Sequence, residues 1–293
     1  MRLTIREEDI TVVLGEFGLS NADVDVTAAA TATAAPEEFQ DWALLSNLLK
    51  QVAADARIIG ICGSQGSGKS TLAATLCRVL GDQAGMVSLD DFYLTRAARA
   101  DLARRVHPLL ATRGVPGTHE TDWIANVLSA AERQASVEVP TFDKGLDDRT
   151  GTRVIAARPL VFEGWALGAM PQSEAELATP VNDLEAREDP AGEWRRWVNG
   201  KITRHYLPLW EKIDFWVHLR VPGFAQVHQW RRQQERQLPA DRQMSDATLR
   251  RFVQHYERVT RHLWSIPPAA PGVVVQLGSD HRVTRLTAVV AGG

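Results

Sequence analysis

Gly63-Ser64-Gln65-Gly66-Ser67-Gly68-Lys69-Ser70 satisfies the pattern G-x-x-x-x-G-K-[ST] at every fixed position, and its flanks decide how it is read. Before it, Arg57-Ile58-Ile59-Gly60-Ile61-Cys62 has the apolar run of a short buried strand. After it, Ser70 to Leu80 repeats apolar residues at helical spacing. Leu72, Leu76, Val79 and Leu80 share one face, and Gly81 supplies a C-terminal stop. Strand, glycine-rich turn and helix in that order make a phosphate cradle. The glycines let successive backbone N–H groups turn inward around anionic oxygens, and the positive end of the helix adds to that field. Gly63, Ser64, Gln65, Gly66, Ser67, Gly68, Lys69, Ser70 and Thr71 are therefore the nucleotide-binding candidates. Lys69 is expected at the β- and γ-phosphates, and the Ser70 hydroxyl on Mg²⁺.

Working outward, Glu37 to Ala54 carries an apolar stripe of Trp42, Leu45, Leu48 and Leu49 and predicts a helix leading into the first strand. Further strands are expected at Gly85–Leu89, Ser136–Val139, Pro159–Phe162, Ile213–Leu219 and Val273–Leu277. Helices are expected at Asp122–Gln134, Glu193–Leu209, Phe224–Gln237 and Asp246–Leu263. Alternation of this kind predicts an α/β class: a P-loop NTPase fold whose mainly parallel sheet has helices on both faces, with a lid region. Ligands then bind beyond the carboxyl ends of the strands. Residues 1–36 read as an N-terminal extension that ends in an Ala/Thr linker over 27–36, and 37–293 as one domain. The acidic stretch 171–192 reads as a surface excursion.

The 293 residues are 44% hydrophobic and 24% charged, with a net charge of −3. That balance argues against a general nucleic-acid or anionic-membrane binder. Cys62 and Cys77 form no C-x-x-C pair and read as small buried hydrophobes in a reducing compartment, so a cytoplasmic location is expected. The first residues show no apolar leader, and no apolar run is long enough to span a bilayer.

Chemistry-bearing residues gather near the expected strand ends. Val87-Ser88-Leu89-Asp90-Asp91-Phe92-Tyr93 places two carboxylates just after the second strand. A phosphoryl acceptor hydroxyl needs positioning and a proton acceptor, and an Asp supplies both; Asp90 is the candidate base and Asp91 a cap, metal or substrate residue. Pro159-Leu160-Val161-Phe162-Glu163-Gly164 has the form of a Walker B strand, with Glu163 as the acid that manages Mg²⁺ beside Ser70. Two polar loops, Arg113–Glu120 and Phe142–Arg149, offer donors to an anionic or polyhydroxy substrate, although each also reads as a plain turn. Arg232 and Arg236 stand one helical turn apart, where a lid helix could deliver them to phosphate in transit, and a solvated basic face would look the same. The His residues show no metal-ligand spacing, and no N-K-x-D motif for base recognition is present.

Taken together, these stretches resemble the P-loop small-molecule kinases that include uridine kinase, phosphoribulokinase and bacterial pantothenate kinase. Within that group the chain is most similar to D-glycerate 3-kinases of the plant and fungal type and their bacterial relatives. The likeness rests on Gly63–Ser70, Ser88–Leu94, Arg113–His119, Phe142–Arg149, Phe162–Gly164, Pro180–Glu185, Trp194–Asn199 and Met244–Tyr256, and it runs from about residue 40 to 285. The resemblance implies ATP and Mg²⁺ as cofactors, with Lys69, Asp90, Arg232 and Arg236 as catalytic residues. It implies Asp91, Tyr93, Arg113, Thr118, His119, Asp143 and Arg149 as substrate-binding residues, and Ser70 and Glu163 as metal ligands. Glu120 stands where glycerate kinases carry Asp.

The expected activity is transfer of phosphate from ATP to a hydroxyl of a small metabolite, with D-glycerate the leading acceptor. The expected protein is a monomer or simple homo-oligomer that engages neither nucleic acid nor membrane. A nucleoside or pantothenate-type kinase is the enzymic alternative; an NTP-driven switch or motor is the alternative from another class. The loop Leu277–His281, after what reads as the last strand, is a guess at the base pocket.

Overall fold

The computed structural model describes residues 5–20, 41–236, 239 and 243–290. A six-stranded sheet runs through it in the order β2-β5-β1-β6-β7-β8. Its strands are β1 (Ile58–Gly63), β2 (Gly85–Ser88), β5 (Leu160–Gly164), β6 (Phe215–Arg220), β7 (Gly272–Leu277) and β8 (Val283–Val289). All neighbours are parallel except β7 and β8. The apolar character of β1 and β5 follows from burial on both faces, since every residue of each is buried.

Alternate strand residues feed two cores. On one face Ile58, Leu160, Phe162 and Trp216 pack against α5 (Thr121–Glu132), α8 (Glu193–Lys201) and α11 (Asp246–Ser265). On the other, Ile59, Ile61, Val161 and Val217 pack against α1 (Glu7–Glu16), α2 (Asp41–Val52), α3 (Lys69–Leu80) and α10 (Phe224–Arg236). The apolar positions expected at the start of α3 are confirmed: Leu72 and Leu76 are fully buried, and Gly81 ends the helix at a φ of +100° with its N–H on the Cys77 carbonyl. Between these elements lie α4 (Arg96–Arg105), α6 (Glu174–Ala178), α7 (Asp183–Glu188) and α9 (Leu207–Trp210).

Several expectations need correction. Val137–Asp143 is a strand, β3, but it does not join the main sheet. It pairs antiparallel with β4 (Asp148–Ile155) in a separate two-stranded hairpin. The stretch 171–192 is mostly exposed, as a surface excursion should be, but it is anchored to the core. Leu177, Leu184, Glu185 and Asp189 are buried, and Arg258 of α11 reaches across to Glu185 at 2.7 and 2.8 Å. The helix expected over Glu193–Leu209 is interrupted by a π turn at Ile202–Tyr206, just before Pro208. The N-terminal extension is partly core, because Ile10, Val13 and Leu14 of α1 are buried against β8 and α2. Gly272–Leu277 is followed by β8 and so is not the last strand. The Ala/Thr stretch 27–36 and residues 37–40 of the helix expected from Glu37 to Ala54 lie outside the described residues. Cys62 is buried, whereas Cys77 is only partly so. Burial pushes the Cys62 thiol up to about 12 and the Cys77 thiol up to about 11, so both are poor nucleophiles.

The order of strands is what assembles the site. β5 lies between β1 and β2, with Glu163 in register with Ile61 on one side and Ser88 on the other. The carboxyl ends of three neighbouring strands therefore deliver the phosphate loop, Glu163 and the Asp90 turn to one edge.

Candidate active site

At the end of β1 the loop turns through Gly66 and Gly68, whose φ values of +80° and +84° favour glycine. Gly68 caps α3 without any side-chain hydrogen bond, so the first N–H groups of that helix are left to a ligand. The loop's own side chains point the same way. Ser64 Oγ, Gln65 Oε1 and Ser67 Oγ are buried and have no hydrogen-bond partner among the described residues. Buried polar atoms are normally satisfied, and the oxygens of a bound triphosphate would accept from the two serine hydroxyls. Gly63 is held close, since a Cβ there would stand 2.5 Å from Ser67 Oγ. Thr71 lies in the first turn of α3, where its carbonyl accepts from Thr75 at 2.8 Å.

Ser70 Oγ donates to Glu163 Oε1 at 2.8 Å, and Lys69 Nζ lies 3.9 Å from Glu163 Oε2. Glu163 is buried and its Oε2 is otherwise unpartnered. A hydroxyl and a half-satisfied carboxylate fit Mg²⁺, which prefers a few hard oxygen ligands and completes its shell with phosphate and water. No group of three or more His, Cys, Asp or Glu suited to a metal occurs among the described residues, so any cation here would share its shell with such ligands.

After β2, Ser88 Oγ accepts the Asp90 N–H at 3.2 Å while Asp91 Oδ2 accepts the Ser88 N–H at 3.1 Å. Asp91 is thus a cap, also 3.4 Å from Arg153, and burial raises its carboxyl. The same turn releases Asp90 into the cleft. Its Oδ1 accepts from Tyr93 Oη at 2.5 Å and its Oδ2 lies 2.6 Å from Lys144 Nζ. Burial works to push the Asp90 carboxyl up, but Lys144, Lys69 and the Tyr93 hydroxyl together hold it well below the usual carboxylate range. The Tyr93 hydroxyl is raised, by burial first and then by the Asp90 charge.

A cleft of about 1240 Å³ joins these groups. Lys69, Ser70, Asp90, Tyr93, Arg113 and Asp143 line it, together with Lys144 and Asp147 from the Phe142–Arg149 loop and with Trp165, Arg231, Phe252 and Tyr256, which the sequence did not single out for the site. Arg113 pairs with Asp147, and Tyr256 Oη donates to the Arg113 carbonyl at 3.0 Å. Asp143 builds the hairpin turn, its Oδ1 accepting the N–H groups of Gly145 and Leu146 at 2.7 and 3.1 Å.

Other expected residues stand behind the cleft wall. Thr118 is buried and donates to the Val115 carbonyl at 2.7 Å, which shapes its loop. His119 stacks on Tyr93 with ring centroids 4.9 Å apart, and its Nδ1 lies 2.7 Å from Tyr206 Oη. Burial lowers its pKa to about 3, so it is neutral. Arg149 is committed to the Tyr93 carbonyl at 3.2 Å and to Glu120 at 3.1 Å. On α10, Arg232 turns away to Asp246 at 2.5 Å and Arg236 is exposed. Arg231, one residue earlier, faces the cleft, pairs with Glu235 at 2.9 Å and lies 5.8 Å from the Phe252 ring centroid. The loop after β7 abuts the phosphate loop. His281 Nε2 lies 2.8 Å from the Gly66 carbonyl and its ring stacks on Trp230 at 3.9 Å.

Comparison with known proteins finds kinases among the relatives of this chain. The family described as ABC transporter matches residues 48–144, about a third of the chain and the part that carries the phosphate loop. The protein called "Uncharacterized kinase mug58" of Schizosaccharomyces pombe is 37% identical over 234 residues, covering 73% of this chain and 83% of that one. The chloroplastic D-glycerate 3-kinase of Arabidopsis thaliana is 31% identical over 68% of this chain, which spans 46% of that protein. Among solved structures, a D-glycerate 3-kinase from Cryptococcus neoformans superposes with a TM-score of 0.66 at 25% identity, over 79% of this chain and 89% of that one.

Proposed function

This chain belongs to the P-loop small-molecule kinases, the family of these relatives, and from that premise we propose that it transfers the γ-phosphoryl group of ATP to a hydroxyl of D-glycerate, giving 3-phosphoglycerate. The observation that carries the reading is one cleft containing Lys69, Ser70 and the Asp90 carboxylate. The loop amides and Lys69 hold the triphosphate; Ser70 and Glu163 hold Mg²⁺, which when bound neutralises charge on the phosphate oxygens. Asp90 orients the acceptor hydroxyl. That oxygen attacks the γ-phosphorus, the bond to ADP breaks, and the hydroxyl proton passes to Asp90. Arg231 is the lid arginine that lines the cleft, and it covers the transferred group. Arg113 is the basic residue of the expected acceptor set that faces the cleft, and it takes the acceptor's carboxylate. Two relatives named as D-glycerate 3-kinases support this acceptor.

A second reading, a nucleoside acceptor, draws on the aromatic side of the same cleft, where Trp165, Phe252 and Tyr256 could hold a base. ATP consumption with Mg²⁺, measured against D-glycerate, uridine, pantothenate and ribulose 5-phosphate, separates the two. Turnover with glycerate alone, reduced about 10²- to 10⁴-fold in Asp90→Asn, is the expected result. Turnover with uridine instead would replace the acceptor, and an unimpaired Asp90→Asn would remove the base.

A further inference from the structure

The tip of the β3–β4 hairpin overhangs the cleft, and its backbone is pinned. Asp143 ties down the N–H groups of Gly145 and Leu146, and Asp147 pairs with Arg99 at 2.5 Å and with Arg113. From this pinned turn Lys144 extends a side chain that is 60% exposed, with its ammonium 2.6 Å from Asp90 Oδ2. Tyr93 already donates to the other oxygen. Both oxygens of the carboxylate that must receive a hydroxyl proton are therefore covered by donors. A carboxylate stabilised in this way is a weak proton acceptor, and the depressed Asp90 carboxyl agrees. The Tyr93 contact is buried and local, three residues away in the chain. The Lys144 contact is reached by a long exposed stem across the cleft, so it is the one that a competing anion can draw away.

Resting on the kinase reading above, we propose that Lys144 is an acceptor-sensing residue. It covers Asp90 while the cleft lacks acceptor, then moves its ammonium to the carboxylate of the incoming acceptor, which it shares with Arg113, and so uncovers the Asp90 oxygen for the hydroxyl. The chemical class it selects is a small hydroxy acid, because a neutral polyol offers the ammonium nothing in exchange for Asp90. In its resting position Lys144 also keeps Asp90 from taking a proton from water. ATP hydrolysis, in which water attacks the γ-phosphorus, the bond to ADP breaks and the water proton goes to Asp90, is thereby suppressed.

The test uses the full chain as wild type, Lys144→Met and Lys144→Arg, with Mg-ATP. Two quantities are measured: phosphate release without acceptor, and KM and kcat with D-glycerate and with glycerol. The expected result for Lys144→Met is acceptor-free phosphate release raised at least about fivefold, and a D-glycerate KM raised at least about tenfold. Its glycerol KM stays within about twofold of wild type, and Lys144→Arg restores most of the glycerate KM. A residue that merely shaped the turn would change both acceptors together and leave phosphate release alone. Unchanged phosphate release in Lys144→Met overturns the inference, as does a glycerate KM within about twofold of wild type. Wild-type protein inactive on D-glycerate would instead overturn the acceptor reading, and phosphate release would still judge Lys144 without any acceptor.

Discussion

Removing the Glu185 carboxylate tests a buried ion pair between the 171–192 region and α11. The Glu185 side chain is fully buried and that of Arg258 is 6% exposed. Arg258 donates to both Glu185 oxygens at 2.8 and 2.7 Å, and also to Gln172 Oε1 at 3.2 Å and the carbonyls of Glu176 and Thr179 at 3.0 and 2.6 Å. Glu185 Oε2 further accepts the Val181 N–H at 3.0 Å. In Glu185→Ala the guanidinium keeps its neutral partners but loses its counter-charge, so a positive charge is left in a site that water does not reach. Breaking such a pair from one side costs about 3–5 kcal/mol. For a chain of this size that is a Tm lower by about 6–20 °C. Replacing both partners with apolar residues, Glu185→Leu with Arg258→Met, removes the orphaned charge and should recover most of the loss. Urea denaturation of the two single variants and the double variant gives the coupling energy directly. A Glu185→Ala loss below about 1 kcal/mol, the value of an exposed pair, would refute the reasoning, because it would mean that solvent already reaches the charges.

Three other outcomes are expected. His119 is held neutral by burial with a pKa near 3, and His218 and His255 likewise near 4, against an ordinary 6.5. The unfolded chain binds these protons first as pH falls, so stability drops below pH 6.5, by about 2 kcal/mol per histidine between pH 7 and 5; a urea midpoint that stays flat down to pH 5 would contradict this. In Gly66→Ala the left-handed φ costs about 1–2 kcal/mol and the new Cβ meets Trp230 Cβ at 2.6 Å, so calorimetric ATP affinity should fall more than about tenfold, and an affinity within twofold of wild type would count against the cradle. Among the lid arginines, Arg231→Met should lower kcat at least about tenfold while Arg232→Met, which loses only its Asp246 partner, changes it little; the reverse ranking would return the lid role to Arg232.

What the sequence disclosed and what it hid divide along a physical line. Gly66, Gly68, Lys69 and Ser70 were legible because the phosphate cradle is built from consecutive backbone, so its requirements are written in consecutive residues. Asp90 and Glu163 were legible because each closes an apolar run, where a parallel sheet exposes its strand ends. Strand β4 was not, since Thr150, Gly151, Thr152 and Arg153 are exposed and present no apolar alternation. His119 and Thr118 looked like donors because polar residues in a Gly-Pro loop usually face water; here Tyr93 and Tyr206 close over His119. Choosing Arg231 over Arg232 required knowing which side of α10 meets Phe252, a fact set by α11 and not by α10 itself. The charged loop Phe142–Arg149 marked Lys144 as one donor among several, but its pairing was hidden, because Asp90 is 54 residues away in the chain and the two meet only through the hairpin.

That hairpin shares no ladder with the main sheet, and this bears on how such an enzyme can diversify. The strands that carry the phosphate loop and Glu163 are locked on both sides by neighbours, so a change there is felt throughout both cores. The tip at Lys144, Gly145 and Leu146 is joined to them only through side chains, and Leu146 is exposed. Substitutions and length changes at the tip leave the packing of the strands that carry the phosphate loop intact, even where they change what faces Asp90. The tip is thus free to vary faster than the strands beneath it, and a laboratory search for new acceptors would begin with those three positions.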